Sequence, residues 1–120
     1  MSTDTIMTLQ EVEAQFDVLS DVTDRVALMN SVYESDLEGA FNEMESFTEG
    51  ARLWDVAAME EPARKFYLSH MSFHREIVAE IIAEARQVLL EERRAYVKRL
   101  VNYHRDFSRW LNSIEKKFAA

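Results

Sequence analysis

Residues 62–118 are the feature of this sequence that most restricts how the chain can fold. The segment contains no Gly, and Pro62 is its only Pro, so nothing in it favours a turn. Mainly apolar side chains recur along it, mostly at steps of three or four residues, which is the spacing of one face of an α-helix. This predicted face consists of Phe66, His70, Phe73, Ile77, Ile81, Ala85, Val88, Tyr96, Leu100, Tyr103, Phe107, Leu111, Ile114 and Phe118. We therefore predict a long amphipathic helix over about 62–118. A break near Glu92 is the alternative, because Glu92 interrupts the face.

Composition favours a single all-α domain over residues 1–120. Hydrophobic residues make up 48% of the chain, which is enough for one core. Two Gly and one Pro leave few turn positions, so a few long helices are expected. The absence of Cys excludes disulfides and fits a reducing compartment. No signal sequence or apolar run of roughly 18 residues occurs, so we expect a cytoplasmic protein without membrane contact.

The first half of the chain begins with a helix-capping pattern. Thr8 and Glu11 have the spacing of a capping box, and Met7 can pack on Val12 as a hydrophobic staple. Beyond this start, apolar residues recur with a mean step of roughly 3.5, the period of coiled coils. We therefore predict a first helix over about 8–49.

Two arrangements of the first half are compatible with this pattern. The apolar spacing continues without interruption, which favours one continuous or kinked helix and an antiparallel long-helix hairpin with coiled-coil-like packing. Ser35 and Glu38 form a second capping box, which favours a turn near Glu34. Together with a break near Glu92, that turn would give a compact four-helix bundle.

Residues 51–61 are predicted to connect the two halves as a short helix or a packed corner. Gly50 can end the first helix in the left-handed conformation, and Pro62 suits the first turn of the next helix. Trp54 is expected to cover one end of the bundle.

The two halves of the chain carry opposite charge. Residues 1–61 contain fifteen acidic and two basic residues, a net charge of −13, and residues 62–120 contain seven acidic and twelve basic residues, a net charge of +5. The acidic face, opposite the apolar residues of the first helix, consists of Glu13, Asp17, Asp24, Glu38, Glu45 and Glu49. The basic face of the last helix consists of Arg94, Lys98, Arg105, Arg109 and Lys116. Since each face points away from its own core, we expect the two not to pair within one hairpin.

The helix lengths predict that the chain self-associates. A first helix over 9–49 cannot cover a last helix over 62–118, so roughly the last sixteen residues lack an intrachain partner. A large apolar patch on a soluble monomer normally marks an interface. We therefore predict a homodimer, or a hetero-complex, closed through Tyr103, Phe107, Trp110, Leu111, Ile114 and Phe118.

Few residues have the spacing of a catalytic or metal site. His70 and His74 lie four residues apart, which points two imidazoles the same way on a helix, and they are weak candidates for metal ligands. The sequence contains no Glu-x-x-His pattern and no glycine-rich phosphate loop. We interpret both histidines as core-edge residues with hydrogen-bonded partners, and we expect no cofactor, no metal and no catalytic residues.

We therefore expect a non-enzymatic protein–protein interaction module, an adaptor or inhibitor, that presents the acidic face to a protein partner. The first alternative is a nucleic-acid-associated regulator that uses the basic face, although the net charge of −8 opposes direct nucleic acid binding. The second alternative is a helical bundle with a histidine metal site.

Overall fold

Helices make up most of this protein in a computed structural model that describes residues 8–31, 37–88 and 94–118. These residues form four α-helices and one short 3₁₀ helix, and no strand occurs among them. The α-helices are α1 (Leu9–Ser31), α2 (Leu37–Ala51), α3 (Glu61–Val88) and α4 (Arg94–Phe118), and the 3₁₀ helix is Val56–Ala58. The predicted all-α class and helical bundle are confirmed.

The four helices form two antiparallel hairpins, α1–α2 and α3–α4, that pack side by side. α1 packs against both α2 and α3, and α3 packs against α4. The ring of Phe16 in α1 lies 6.4 Å from that of Phe47 in α2 and 5.7 Å from that of Tyr67 in α3. α4 contacts α2 through side chains such as Tyr103 and Thr48. The resulting bundle is elongated, with dimensions of 52 × 25 × 19 Å.

The single first helix over about 8–49 is wrong, and the alternative with four helices fits the structure. α1 and α2 are separate helices that fold back on each other, as the ion pair between Arg25 and Glu43 shows. The last helix is likewise divided into α3 and α4. The proposed break positions, Glu34 and Glu92, lie outside the described residues. Folding back allows two shorter helices to cover each other's apolar faces, which a continuous rod cannot do alone.

The capping box at the start of α1 is confirmed. The backbone N–H of Thr8 donates to Oε1 of Glu11 at 2.9 Å, and the backbone N–H of Glu11 donates to Oγ1 of Thr8 at 3.2 Å. The backbone hydrogen bond from Thr8, followed by that from its hydroxyl, lowers the pKa of Glu11. Met7 and Ser35, which belong to the other two predicted capping interactions, lie outside the described residues.

Pro62 lies in the first turn of α3 as predicted, but the end of α2 differs from the predicted left-handed glycine. No described Gly has a positive φ, and α2 continues through Gly50 to Ala51. The end of α2 is followed by hydrogen bonds of the 3₁₀ type, in which the N–H groups of Leu53 and Trp54 donate to carbonyls three residues earlier, at 3.1 and 3.3 Å. These bonds satisfy the last carbonyls without a left-handed residue.

The corner between α2 and α3 is packed, as predicted. Val56 and Met59 are buried there, and the guanidinium of Arg64 donates to their carbonyl oxygens at 3.2 and 3.1 Å. Trp54 packs edge-on against Phe16, with 6.1 Å between ring centroids. Trp54 therefore closes this end of the bundle, as the sequence suggested.

The core face of α3 is rotated by about one residue from the predicted face. The predicted residues in its first half lie at the edge of the core or outside it: Phe66, His70, Phe73 and Ile77. The buried line consists of Ala63, Tyr67, Met71, His74 and Val78. α3 therefore carries apolar side chains on two adjacent lines, and packing against α1 and α4 fully buries only one of them.

The structure removes the basis for the predicted self-association surface. Three of its six residues are buried in the chain's own core, namely Tyr103, Phe107 and Leu111. Trp110 packs on Tyr67, and the guanidinium of Arg64 lies 5.5 Å from the ring centroid of Phe118. Ile114 is partly buried. One first helix could not have covered all of residues 62–118, but side chains of both α2 and α3 contact α4. The homodimer stays a prediction that has lost this support.

Candidate functional site

A chain of hydrogen bonds crosses the centre of the bundle and takes one side chain from each helix. Oη of Tyr103 in α4 lies 2.8 Å from Nε2 of His74 in α3 and donates to Oγ1 of Thr48 in α2 at 3.0 Å. On the other side of the imidazole, Nδ1 of His74 lies 3.5 Å from Oγ1 of Thr23 in α1. All four side chains are buried. Since buried polar groups require partners, this central hydrogen-bond chain specifies how the four helices align.

The tautomer of His74 follows from which hydroxyl groups of the central hydrogen-bond chain donate and which accept. The Thr48 hydroxyl donates to main-chain carbonyls one turn earlier in α2, at 3.1 and 3.2 Å, so it accepts from Tyr103. Tyr103 has then used its only hydroxyl proton and must accept one from Nε2 of His74. His74 is therefore the neutral Nε2–H tautomer, and its Nδ1 is an acceptor.

Burial keeps His74 and Tyr103, the two titratable residues of the central hydrogen-bond chain, neutral. Desolvation lowers the pKa of His74 to about 3, and positive charge on His70, Arg52 and His104 acts in the same direction. Desolvation also raises the pKa of Tyr103. A neutral imidazole and a neutral phenol are the forms that the hydrogen-bond pattern requires.

His70 lies at the edge of the core, one turn before His74. Its Nε2 is 3.5 Å from Oγ of Ser20, and its ring packs 4.8 Å from that of Phe16. Partial burial lowers the pKa of His70, and Asp17 opposes that shift. The interpretation of two hydrogen-bonded histidines is supported, but His74 lies inside the core rather than at its edge. No group of three potential metal ligands occurs among the described residues, so neither histidine has a complete metal site there.

Phe73 of α3 is exposed and stands between two depressions. Its exposed fraction is 55%, although it belongs to the predicted apolar face. The first depression, between α1 and α3, is a cavity of about 120 Å³ lined by Leu19, Ser20, Thr23, Asp24, His70, Phe73, His74 and Ile77. The second, between α3 and α4, is a shallow groove lined by Leu68, Ser69, Ser72, Phe73, Glu76 and Glu115. We name the surface formed by Phe73 and these two depressions the Phe73 face.

Carboxylates border the Phe73 face on both sides. Asp24 of α1 lines the cavity, while Glu76 of α3 and Glu115 of α4 line the groove. Glu115 lies 3.8 Å from Nη1 of Arg75, which partly balances its charge. The face therefore combines an exposed aromatic ring with a border that is mainly negative.

The predicted acidic face is divided between two sides of the bundle. Asp17 and Asp24 of α1 lie beside α3, where Asp17 acts on the pKa of His70 and Asp24 lines the cavity. Glu38 and Glu45 of α2 lie beside α4. The remaining members, Glu13 and Glu49, are exposed. Because the chain reverses direction between α1 and α2, one line along a rod becomes two separate groups.

Arg99 is a residue that sequence reasoning missed, since it lies beside the basic face rather than on it. Its guanidinium lies 3.4 Å from Glu38 and 3.8 Å from Glu45, and it donates to Asn42 at 2.7 Å. The same group lies 4.7 Å from the ring centroid of Phe41. The oppositely charged halves therefore meet through Glu38 and Glu45, because α2 and α4 are neighbours in the bundle. Since Arg99 is not a member of the basic face, the expectation that the acidic and basic faces do not pair with each other stays a prediction.

The basic face is exposed on α4 as the sequence predicted. Its five members are Arg94, Lys98, Arg105, Arg109 and Lys116. Arg105 pairs with the adjacent Asp106 at 3.2 Å. α4 contains seven basic and two acidic residues, a net charge of +5. Binding of nucleic acid by this face stays a prediction.

The partners of His74 were also missed, although the sequence carries a signal for them. Thr23 follows Val22 and Thr48 follows Phe47, two of the regularly spaced apolar residues of the first half, and Tyr103 belongs to the predicted face of residues 62–118. A hydroxyl at such a position requires a buried partner. Which hydroxyl meets which helix depends on the order of the helices around the bundle.

No described helix is long and apolar enough to cross a membrane. The chain has no match among protein-family models, curated proteins or solved structures, so its function is inferred from the Phe73 face and the side chains around it.

Proposed function

We propose that this protein is a non-enzymatic interaction module that binds a basic, partly apolar segment of another protein through the Phe73 face. The observation that carries the proposal is the exposed Phe73 ring, with a depression on each side and carboxylates at the border. Aromatic anchors surrounded by polar side chains are typical of the centre of a protein interface.

Phe73, on the second apolar line of α3, is not part of the core. Tyr67, Met71 and Val78 already pack inside the bundle, whereas Phe73 and Ile77 border the surface cavity. Burial of the exposed part of a Phe ring stabilises a complex by roughly 1 kcal/mol, and a partner that covers the neighbouring apolar surface adds to this. An aromatic ring left at the surface between two depressions therefore favours association with another chain.

Charge complementarity selects the kind of partner. Asp24, Glu76 and Glu115 border the face, so lysine or arginine side chains next to an apolar anchor fit it, while acidic segments are repelled. Such charges act mainly on the association rate and make it depend on ionic strength.

Retention of partners by variants of the full chain tests the proposal. Phe73→Ser removes the anchor, and Leu53→Ser is the matched control because Leu53 is 86% exposed in the corner between α2 and α3. We expect wild type and Leu53→Ser to retain the same protein from a native lysate, identified by mass spectrometry. Phe73→Ser should bind the purified partner at least about tenfold more weakly.

Two further measurements make this result decisive. Both substituted residues are exposed, so thermal unfolding should show that both variants fold like wild type. Asp24→Lys should slow association with the purified partner, and added salt should reduce the difference from wild type. Equal binding by wild type and Phe73→Ser would contradict the proposal.

The exposed basic face supports a second candidate function, contact with the phosphates of a nucleic acid. α4 has a net charge of +5 and presents all five basic-face side chains to solvent. A gel shift at low salt with the full chain tests this function. Combined Arg105→Gln and Arg109→Gln should abolish a shift that arises from the basic face, whereas Arg86→Gln on α3 should retain it.

A further inference from the structure

We propose that the cavity between α1 and α3 is a socket for the guanidinium group of an arginine side chain presented by the partner. This inference rests on the proposed function and names the chemistry that enters the Phe73 face. It depends on three properties of the cavity walls: a weakly bonded acceptor, a carboxylate and exposed aromatic surface.

The acceptor is Nδ1 of His74. The Thr23 hydroxyl donates to the carbonyl oxygen of Leu19 at 2.7 Å, whereas its distance to Nδ1 of His74 is 3.5 Å. The hydroxyl has a single proton to share between these two acceptors, so the hydrogen bond that reaches Nδ1 is long and weak. His74 is only 3% exposed, and it lines the cavity together with Thr23. A buried acceptor in this state is stabilised by an N–H group that enters from the cavity.

The other walls favour a planar cation. Asp24 lines the cavity and supplies negative charge at its mouth. The rings of His70 and Phe73, 6.0 Å apart, offer aromatic surface beside that carboxylate. Guanidinium groups stack on aromatic rings and donate several hydrogen bonds in one plane, whereas an ammonium is more strongly hydrated and does not stack.

The size of the cavity fits one side chain rather than a cofactor. Its volume of about 120 Å³ is well below the roughly 300–1,000 Å³ of typical small-molecule sites. Ile77 lines it as well, which gives an aliphatic stem an apolar contact. An arginine from a partner segment that covers Phe73 therefore brings a group that matches each wall.

Nuclear magnetic resonance of the histidine rings tests the socket directly. The full chain is titrated with N-acetyl-arginine amide at neutral pH and low ionic strength, and long-range ¹H–¹⁵N spectra follow both ring nitrogens of His74. The free protein should show the Nε2–H tautomer. The probe should shift the Nδ1 signal of His74 saturably, as expected when an acceptor gains a hydrogen bond, with His70 shifting in parallel.

Two controls separate guanidinium recognition from general binding. N-acetyl-citrulline amide has a similar shape without the charge and should bind about tenfold more weakly or not at all. Asp24→Asn should weaken the arginine probe about tenfold, whereas Asp21→Asn should change binding less than twofold, because Asp21 is exposed on α1 and does not line the cavity. No saturable shift, equal shifts with the citrulline probe, or equal binding by Asp24→Asn would overturn the socket.

The outcome is independent of the test of the proposed function. If the arginine probe fails but Phe73→Ser still loses the partner, the Phe73 face is an interface without an arginine socket. If the probe binds but Phe73→Ser keeps the partner, the socket exists and the proposed interface is wrong.

Discussion

Replacement of His74 by Gln should change how the stability of this protein depends on pH. Gln can donate to the Tyr103 hydroxyl from a similar position, but it does not titrate. The native pKa of His74 is about 3, against an ordinary value of 6.5. Below about pH 6.5 the unfolded chain therefore binds a proton at this position, and the native chain does not until the pH approaches about 3. The contribution is fully present above pH 6.5 and declines as the pH falls from about 6.5 to about 3.

The size of the effect follows from these two values. Between about pH 7.5 and about pH 5, one histidine with this shift lowers the free energy of unfolding by about 2 kcal/mol. At about pH 7.5 the His74→Gln variant should be less stable than wild type by about 1–3 kcal/mol, because it loses packing in a buried site. At about pH 5 that difference should be smaller by about 2 kcal/mol, since only wild type loses this contribution.

Urea unfolding at the two pH values measures this convergence. With a slope of about 1–3 kcal/mol per molar urea, a change of 2 kcal/mol moves the midpoint by about 1 M. His104→Gln is the matched control because it removes an imidazole on α4 that lies outside the central hydrogen-bond chain. The reasoning is refuted if wild type and His74→Gln differ by the same amount at both pH values, or if His104→Gln converges on wild type to the same extent.

Three further substitutions test other parts of the fold. Tyr103→Phe removes the hydroxyl that joins His74 to Thr48 and should lower the free energy of unfolding by about 1–3 kcal/mol. A loss below about 0.5 kcal/mol would mean that the central hydrogen-bond chain adds little stability. Leu111→Ala should lower the free energy of unfolding by about 2–5 kcal/mol at every protein concentration, because Leu111 is buried by its own chain. The control, Leu53→Ala, should lower it by less than about 0.5 kcal/mol. A loss of stability that depends on protein concentration would restore the predicted dimer. Gly50→Ala should stabilise the protein by about 0.5–1 kcal/mol, since Gly50 is helical with a negative φ and an added Cβ meets no atom within 4 Å; a lower thermal midpoint would contradict this.

Local patterns in the sequence determined the helical class, the start of α1 and much of the core. The capping box of Thr8 and Glu11 forms because all its atoms lie within one turn. The core positions of α4 follow from a face on which apolar residues are opposed by charged ones, and Tyr96, Leu100 and Leu111 are buried as predicted. Such features depend only on neighbours along the chain, so one sequence is enough to find them.

The sequence alone did not choose between the two apolar lines of α3. The line with Phe73 and the line with Met71 have the same helical period, so periodicity favours neither. Packing against α1 and α4 buries Met71 and leaves Phe73 exposed, and this choice creates the Phe73 face. The sequence predicted the acidic face as one line along a rod because the uninterrupted apolar spacing favoured a continuous helix, although the capping box of Ser35 and Glu38 favoured a turn.

Tertiary structure also decided the contacts that join residues far apart in the chain. His74 meets Tyr103 and Thr23 only because α3 lies between α4 and α1, and Arg99 reaches Glu38 only because α2 lies beside α4. These pairings depend on the order of the helices around the bundle, which is set by the burial of apolar area summed over all four helices. Local patterns along one helix carry no information about that order, so the central hydrogen-bond chain and the candidate socket became visible only in three dimensions.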